Sequence, residues 1–158
     1  MNELAKRTHP RLKGYDYSQN GAYFVTICVK EMQCVLSRIV GRDALIAPQV
    51  ELTDYGIVAE KYIRRIPGIN KYVIMPNHIH MIFIKNDDDG AMRASRPTSV
   101  SDDVRSFKKL VTKEIGVSIW QASFYDHIIR NEDDLCAHLQ YIEENPKKWL
   151  MGKDEYYA

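Results

Sequence analysis

The sequence predicts an α+β domain with one antiparallel sheet, because apolar runs of two different periods alternate along the chain. Residues 22–29 are rich in β-branched and aromatic side chains and follow the turn signal Asn20-Gly21, which indicates a strand. The apolar runs 72–75 and 79–84 flank Pro76-Asn77 and predict a central hairpin. Residues 52–66 repeat apolar side chains at helical spacing. The first half is therefore ordered β, α, β, β.

The second half of the chain continues this order. Ser99 or Ser101 can cap a helix that extends to about Ile115. Residues 123–130 return to strand character. The apolar face of the predicted helix consists of Val104, Phe107, Leu110 and Val111. The order βαββαβ is that of the ferredoxin-like fold, in which two helices cover one face of a four-stranded antiparallel sheet.

Three further elements complete the prediction. Thr53 or Asp54 can cap the first helix, whose apolar positions are Ile57, Val58, Tyr62 and Ile66. The segments 34–40 and 44–47, around a turn at Gly41, suggest an accessory hairpin after the first strand. A last helix begins after Asn131 and runs to about Glu144, where Asn145-Pro146 is expected to end it.

Length and composition place the chain among ordinary globular proteins. With 158 residues, 45% of them hydrophobic and 27% charged, it fits one domain over 1–158 and excludes disordered and fibrous classes. No window approaches 18 consecutive apolar residues, and the first residues lack the apolar stretch of a signal peptide, so we expect a cytoplasmic protein without membrane contact. Three cysteines without a C-x-x-C pair suggest reduced thiols.

The net charge of +1 conceals an uneven distribution. Residues 1–14 hold four basic side chains against one acidic one and suggest a flexible basic arm, and residues 93–130 hold seven against four. Residues 131–158 are acidic, with three basic and seven acidic side chains. This pattern argues against a broad grip on duplex DNA and favours a small basic groove suited to a folded single strand.

Two local patterns could carry chemistry. His78 and His80 are two apart on a predicted strand, so their imidazoles lie side by side and could share one divalent ion. Tyr141 and Asn145 are four apart on the predicted last helix, so a hydroxyl and an amide oxygen lie on one helix face. Each pattern alone is more typical of packing than of catalysis.

Taken together, these stretches resemble the HUH-type single-tyrosine transposases, in particular the REP-associated, insertion-sequence-like group. The name HUH describes His-hydrophobic-His, here His78-Ile79-His80 within residues 73–80. The other matching stretches are residues 120–132 and 141–148, in the family's order and spacing. The accessory hairpin also looks like the family's insertion after the first strand. The similarity extends from about residue 14 to residue 150.

The resemblance implies a metal-dependent enzyme that cuts and rejoins single-stranded DNA, at hairpins or repeated palindromes, through a 5′-phosphotyrosine. Tyr141 would be the nucleophile on the C-terminal helix, and His78, His80 and Asn145 would hold Mg²⁺ or Mn²⁺. Many relatives have Gln at the position of Asn145, so Glu144 and His127 stay open as third ligands. Tyr125, Tyr156 and Tyr157 are weaker candidates for the nucleophile, since none has a ligand partner at helical spacing.

Contacts to DNA are expected from cations. The candidate residues are Arg105, Lys108, Lys109 and Lys113 on the second helix and Arg93 and Arg96 in the preceding loop. A homodimer that completes each site with its partner's tyrosine helix stays open beside a monomer. Two alternatives also stay open: a non-catalytic single-stranded nucleic-acid-binding protein on the same fold, and a replication-initiator or relaxase-like HUH nuclease.

Overall fold

The structure, a computed structural model, describes residues 21–41, 47–85, 99–154 and 156. The strands are β1 (Gly21–Cys28), β2 (Ser37–Val40), β3 (Gln49–Leu52), β4 (Ile69–Ile74), β5 (His78–Lys85) and β6 (Tyr125–Ile129). The helices are α1 (Asp54–Ile63), α2 (Val100–Ile115) and α3 (Glu132–Leu150). The predicted basic arm, most of the turn after Gly41, and the loop with Arg93 and Arg96 lie outside the described residues.

The central sheet has four strands in the order β4-β5-β1-β6, and every neighbouring pair is antiparallel. Helix α1 connects β1 to β4 after the β2–β3 hairpin, and α2 connects β5 to β6. This confirms the predicted ferredoxin-like βαββαβ order with an accessory hairpin after the first strand. Of the described helices, none is long and apolar enough to cross a membrane.

The two faces of the sheet are covered by different helices. On one face the buried side chains of β1 and β5 pack against α1 and α2 in the larger core. The opposite face holds a smaller cluster in which Phe24, Ile82 and Ile129 pack against Ile142 of α3. The prediction of two helices on one face is therefore confirmed for α1 and α2, and α3 covers the other face.

Helix α1 begins at a tight junction with the residues before β2. The Thr53 hydroxyl accepts from the Gly56 N–H at 3.1 Å, which caps the helix, and donates to the Val35 carbonyl. A Cβ at Gly56 would lie 2.0 Å from the Leu36 carbonyl oxygen, so only glycine permits this approach. The predicted apolar face was wrong at Ile57, which is 57% exposed, because the buried positions are Gly56, Ala59 and Ile63.

The accessory hairpin forms between β2 and β3. Residues 37–40 pair with residues 49–52, with Val40 opposite Gln49, whereas residues 44–46 of the segment predicted as the second strand lie outside the described residues. Pro48 cannot donate a backbone hydrogen bond, and it directly precedes the second strand instead of interrupting it. Leu52 is therefore the last residue of β3, although it was expected to begin the following helix.

Helix α2 starts where Ser99 accepts from the Asp102 N–H and ends at Gly116, whose φ of 85° favours glycine. The predicted face is correct for Val104, Phe107 and Val111, whereas Leu110 is 40% exposed.

The expected end of α3 at Asn145-Pro146 was wrong, because the helix continues to Leu150. A proline at this position removes the hydrogen bond to the carbonyl of Ile142. However, Ile142, Asn145 and Pro146 are all buried, so packing of this turn against the sheet offsets the missing bond.

Candidate active site

The two histidines of the His-hydrophobic-His pattern lie at the start of β5, on the face covered by α3. The β4–β5 connection is held by backbone hydrogen bonds from Met75 to His78 and from Val29 to Asn77. His78 is 0% and His80 1% exposed, and their ring centroids are 4.5 Å apart. The sequence spacing correctly predicted that the two rings share one face.

Hydrogen bonds on the Nδ1 side orient both imidazoles. His80 Nδ1 is 2.7 Å from the Thr26 hydroxyl, which lies opposite it on β1. His78 Nδ1 is 2.7 Å from Asn77 Oδ1, and Asn77 donates through Nδ2 to the backbone carbonyl of Tyr156. Because the Asn77 oxygen faces His78, the neutral His78 ring carries its proton on Nδ1 and keeps a lone pair on Nε2.

The Nε2 atoms face α3 and have different surroundings. His78 Nε2 is 3.3 Å from Asn145 Oδ1, so a nitrogen lone pair faces an amide oxygen. His80 Nε2 and Asn145 Nδ2 are buried without a hydrogen-bond partner in the described part of the chain. Buried polar atoms are rarely left without partners, and two acceptors facing each other are compatible with a cation between them. With the Asn145 amide turned over, the same pair would instead form an N–H···N hydrogen bond.

Burial keeps both histidines neutral at pH 7. Loss of solvation lowers the pKa of His78 to about 3, although the contact with Asn145 acts in the opposite direction. The pKa of His80 is also well below its usual value because of burial and the two nearby histidines, His78 and His138. A neutral imidazole is the form that binds a metal.

Tyr141 lies beside this pair, one helical turn before Asn145. Its ring centroid is 5.2 Å from that of His80 and 5.9 Å from that of Phe24. The Lys148 ammonium lies 5.2 Å from the centroid of the Tyr141 ring. A single chain therefore brings together all four residues predicted as nucleophile and ligands: Tyr141, His78, His80 and Asn145.

Comparisons with known proteins identify the family of this chain. The chain is 33% identical to an uncharacterized protein of Haemophilus influenzae, over 94% of this chain and 91% of that protein. It is 30% identical to the REP-associated tyrosine transposase of Escherichia coli K12, over 89% of this chain and 76% of that protein. It belongs to the REP-associated tyrosine transposase family. No family model matches it.

The fold is also that of a solved member of the family. The structure of a REP-associated tyrosine transposase bound to a REP hairpin matches with a TM-score of 0.58 and 25% identity, over 94% of this chain and 74% of that chain. The predicted resemblance is thus confirmed at the level of the family and its fold. Transposases act on DNA, and these relatives place this chain in that class of enzyme.

The cations predicted to bind DNA on α2 do not lie beside this site. Arg105, Lys109 and Lys113 are exposed, but α2 packs on the opposite face of the sheet. Lys108 donates to the backbone carbonyls of Gln121 and Ser123, both at 2.9 Å. In contrast, Lys148 lies at the tyrosine. Lys148 was not predicted to lie at the site, because the helix was expected to end at Glu144, one turn before it.

Tyr156 is a second tyrosine at the histidine pair. Its ring centroid is 4.3 Å from that of His78, at an interplanar angle of 32°, and 5.6 Å from that of His80. The sequence predicted Tyr156 to be a weaker candidate for the nucleophile, because it has no ligand partner at helical spacing. The contact depends on a fold-back of the chain after α3, which no local pattern in the sequence indicates.

The two alternative third ligands have other partners. Glu144 accepts from Gln140 on an exposed part of α3. His127 forms a 2.8 Å hydrogen bond with Asp134, and its ring stacks on that of His138. These last three residues form a separate group whose ligand atoms lie within 4.8 Å of one another and could hold a metal ion.

Proposed function

We propose that this chain is a metal-dependent single-stranded DNA endonuclease and strand transferase that cleaves hairpin DNA through a covalent bond to Tyr141. The observation that carries this proposal is the convergence of Tyr141 with two buried neutral histidines and Asn145 within one chain. Its family relatives are transposases, and one of them is bound to a REP hairpin. This supports hairpin DNA as the substrate class.

The residues that would hold the metal are His78, His80 and Asn145, through Nε2, Nε2 and Oδ1. His80 Nε2, which has no hydrogen-bond partner in the described part of the chain, and the 3.3 Å approach of His78 Nε2 to Asn145 Oδ1 fit such a set. Two imidazoles and an amide oxygen suit Mn²⁺ and leave positions open for phosphate oxygens, and Mg²⁺ remains the alternative. When bound, the ion would polarise the scissile phosphate and neutralise charge that develops on its oxygens.

Tyr141 would supply the nucleophile. Its phenolic oxygen loses its proton to water and attacks the phosphorus, the bond to the 3′ oxygen breaks, and the 3′ oxygen takes up a proton from water to become a hydroxyl. The DNA 5′ phosphate remains on the tyrosine, so the reverse reaction rejoins strands without ATP. A phenol with a pKa of about 10 is protonated at pH 7 and must lose its proton during the attack. The Lys148 ammonium lies 5.2 Å from the centroid of this ring and supplies positive charge on the side of the nucleophile.

A groove beside the histidine pair offers a place for the nucleotides that flank the scissile phosphate. The groove lies between the β2–β3 hairpin and the end of α3, and Arg38, Pro76 and Trp149 are among its lining residues. The Trp149 ring centroid is 6.4 Å from that of His78. We propose that an unpaired base stacks there. The α2 cations, on the far side of the sheet, would contact only a distant part of a hairpin stem.

The convergence within one chain supports a monomer that cleaves in cis, because the nucleophile and all three proposed ligands come from the same copy. A homodimer is not required to complete the site.

The test is a cleavage assay with the full-length protein, a labelled hairpin oligonucleotide with single-stranded flanks, and Mn²⁺ or Mg²⁺. We expect a covalent protein–DNA adduct that EDTA prevents and that Tyr141→Phe lowers by at least about 1,000-fold. Tyr156→Phe is the matched control, because it removes a hydroxyl from the other tyrosine at the site and should leave the adduct.

A Tyr141→Phe protein that still forms the adduct would refute the assignment of the nucleophile. Hairpin binding that persists in EDTA, without cleavage of any strand by the wild type, would instead favour a non-catalytic nucleic-acid-binding protein.

A further inference from the structure

A second group of metal-ligating side chains lies where β6 meets the start of α3. His127 comes from β6, Asp134 from the first turn of α3, and His138 from the next turn. Phe24 lies between this group and the histidine pair of β5, since its ring centroid is 4.7 Å from that of His138 and 5.1 Å from that of His80. The group is therefore distinct from the site proposed for DNA cleavage.

The Asp134 carboxylate connects the two imidazoles. Its Oδ2 accepts from His127 Nε2 at 2.8 Å and from the Arg130 N–H at 3.3 Å. Its Oδ1 lies 3.1 Å from His138 Nδ1, which donates to the Asp134 backbone carbonyl at 2.8 Å. The carboxylate is three-quarters buried and His138 is 2% exposed, whereas the His127 side chain is 42% exposed. One side of the group is thus open to solvent.

The ionisation of these side chains favours a cation. Burial opposes the charge on Asp134, but the hydrogen bonds from His127 and from the Arg130 N–H outweigh it, so the pKa of Asp134 is below its usual value. Burial also lowers the pKa of His138. At pH 7 the group therefore offers an ionised carboxylate and a neutral imidazole, which are the forms that bind metals.

We propose that His127, Asp134 and His138 form a second metal site that binds a late first-row divalent ion, of which Zn²⁺ is the representative. Two imidazole nitrogens and one carboxylate oxygen are a donor set typical of zinc, and the exposed side leaves a fourth position for water. Mg²⁺ prefers oxygen ligands and would bind this group poorly.

Binding requires a limited rearrangement of His127. Tetrahedral ligand atoms lie about 3.3 Å apart, and the two contacts with Asp134, at 2.8 and 3.1 Å, are close to that spacing. However, the rings of His127 and His138 stack at 4.6 Å and 17°, and a bound ion lies in the plane of each ring. The exposed His127 ring must therefore turn out of the stack. In this structure His127 Nε2 donates to Asp134 Oδ2 and His138 Nδ1 donates to the Asp134 backbone carbonyl. Metal binding therefore also requires the proton of each neutral ring to move to its other nitrogen.

The expected consequence is a clamp between β6 and α3. His138 precedes Tyr141 by three residues, so an ion on His138 would fix the turn of α3 that carries the tyrosine. This inference does not rest on the proposed cleavage reaction.

The experiment is a calorimetric titration of metal-free full-length protein with Zn²⁺. We expect two equivalents to bind the wild type and one to bind His78→Ala/His80→Ala. In that double variant, adding His127→Ala should weaken the remaining site by about 100-fold, while adding Asp133→Asn, on the same turn as Asp134, should change it little. Co²⁺ in the double variant should show the visible absorption of a four-coordinate site, and His127→Ala should remove it.

The proposal would be overturned if the double variant bound no Zn²⁺, or if His127→Ala left its affinity and the Co²⁺ spectrum unchanged. His127 is partly exposed, so His127→Ala should leave the fold intact. Thermal unfolding of each variant without metal tests this expectation. Loss of metal binding with an unchanged melting temperature then reports on the site itself. Failure of the cleavage assay has no bearing on these outcomes.

Discussion

Strand β5 presents two different surfaces to the two sides of the sheet. Its odd-numbered residues Ile79, Met81 and Phe83 are fully buried in a dry core against α1 and α2. Its even-numbered residues begin with His78 and His80, which are as deeply buried, and His80 retains a nitrogen without a hydrogen-bond partner among the described residues. Burial of the apolar side chains on one face stabilises the fold. Burial of the two imidazoles on the other face costs free energy of solvation, so stability alone does not explain it.

The largest test of this contrast compares two neighbouring residues of β5. His80→Ala should abolish hairpin cleavage, by at least about 1,000-fold, because it removes a proposed metal ligand. Met81→Ala should lower the free energy of unfolding by about 2–5 kcal/mol by leaving a cavity between the sheet and the helices. Below its melting temperature, the Met81→Ala protein should still cleave.

Urea unfolding measures the stability of both variants, and the cleavage assay measures their activity. His80→Ala loses the hydrogen bond with Thr26, but it also removes a buried nitrogen that has no partner among the described residues, so it should cost less stability than Met81→Ala. Normal cleavage by His80→Ala would contradict the functional role of the histidine face. A His80→Ala protein less stable than Met81→Ala would contradict the assignment of stability to the opposite face.

The second test is the pH dependence of stability without metal. Unfolded histidine has a pKa of about 6.5, whereas burial lowers that of His78 to about 3. Below about pH 6.5 the unfolded chain therefore binds a proton that folded His78 does not. The free energy of unfolding should fall with decreasing pH, by up to about 1.4 kcal/mol per pH unit for this residue.

Urea unfolding in EDTA between about pH 7 and pH 5 measures this slope. His78→Gln is the control, since it removes one titrating group and should reduce the slope, while His80 and His138, whose pKa values are also lowered by burial, maintain the remainder. Identical slopes for the wild type and His78→Gln would show that His78 titrates normally in the folded protein.

The smallest expected effect is that of a substitution on the exposed side of α1, outside the core between the sheet and the helices. Ile57 is 57% exposed on α1, so Ile57→Ser should change the free energy of unfolding by less than about 0.5 kcal/mol. Ile63 is fully buried on the same helix, and Ile63→Ala should cost about 2–5 kcal/mol. Thermal unfolding of both variants makes the comparison. A large loss for Ile57→Ser would mean that a partner covers this side of α1.

Local chemistry was sufficient for much of the fold and part of the site. The periods of two and 3.6 residues identified the central strands and helices, and the caps at Thr53, Ser99 and Asn131 follow from their side-chain oxygens. His78 and His80 share a face because alternate residues of a strand must. Tyr141 and Asn145 share a face of α3 for the analogous reason in a helix.

The sequence by itself therefore determined the order of the elements and the two pairs of site residues, since both depend on contacts close along the chain. The tertiary structure decided the rest. It carried α3 past Pro146, because burial against the sheet outweighs one lost hydrogen bond. It brought Asn145 to His78, Tyr156 over His78, and His127 to His138, and it left the α2 cations on the far face. These relations depend on which face each helix covers and on contacts between residues distant in sequence, which no local pattern specifies.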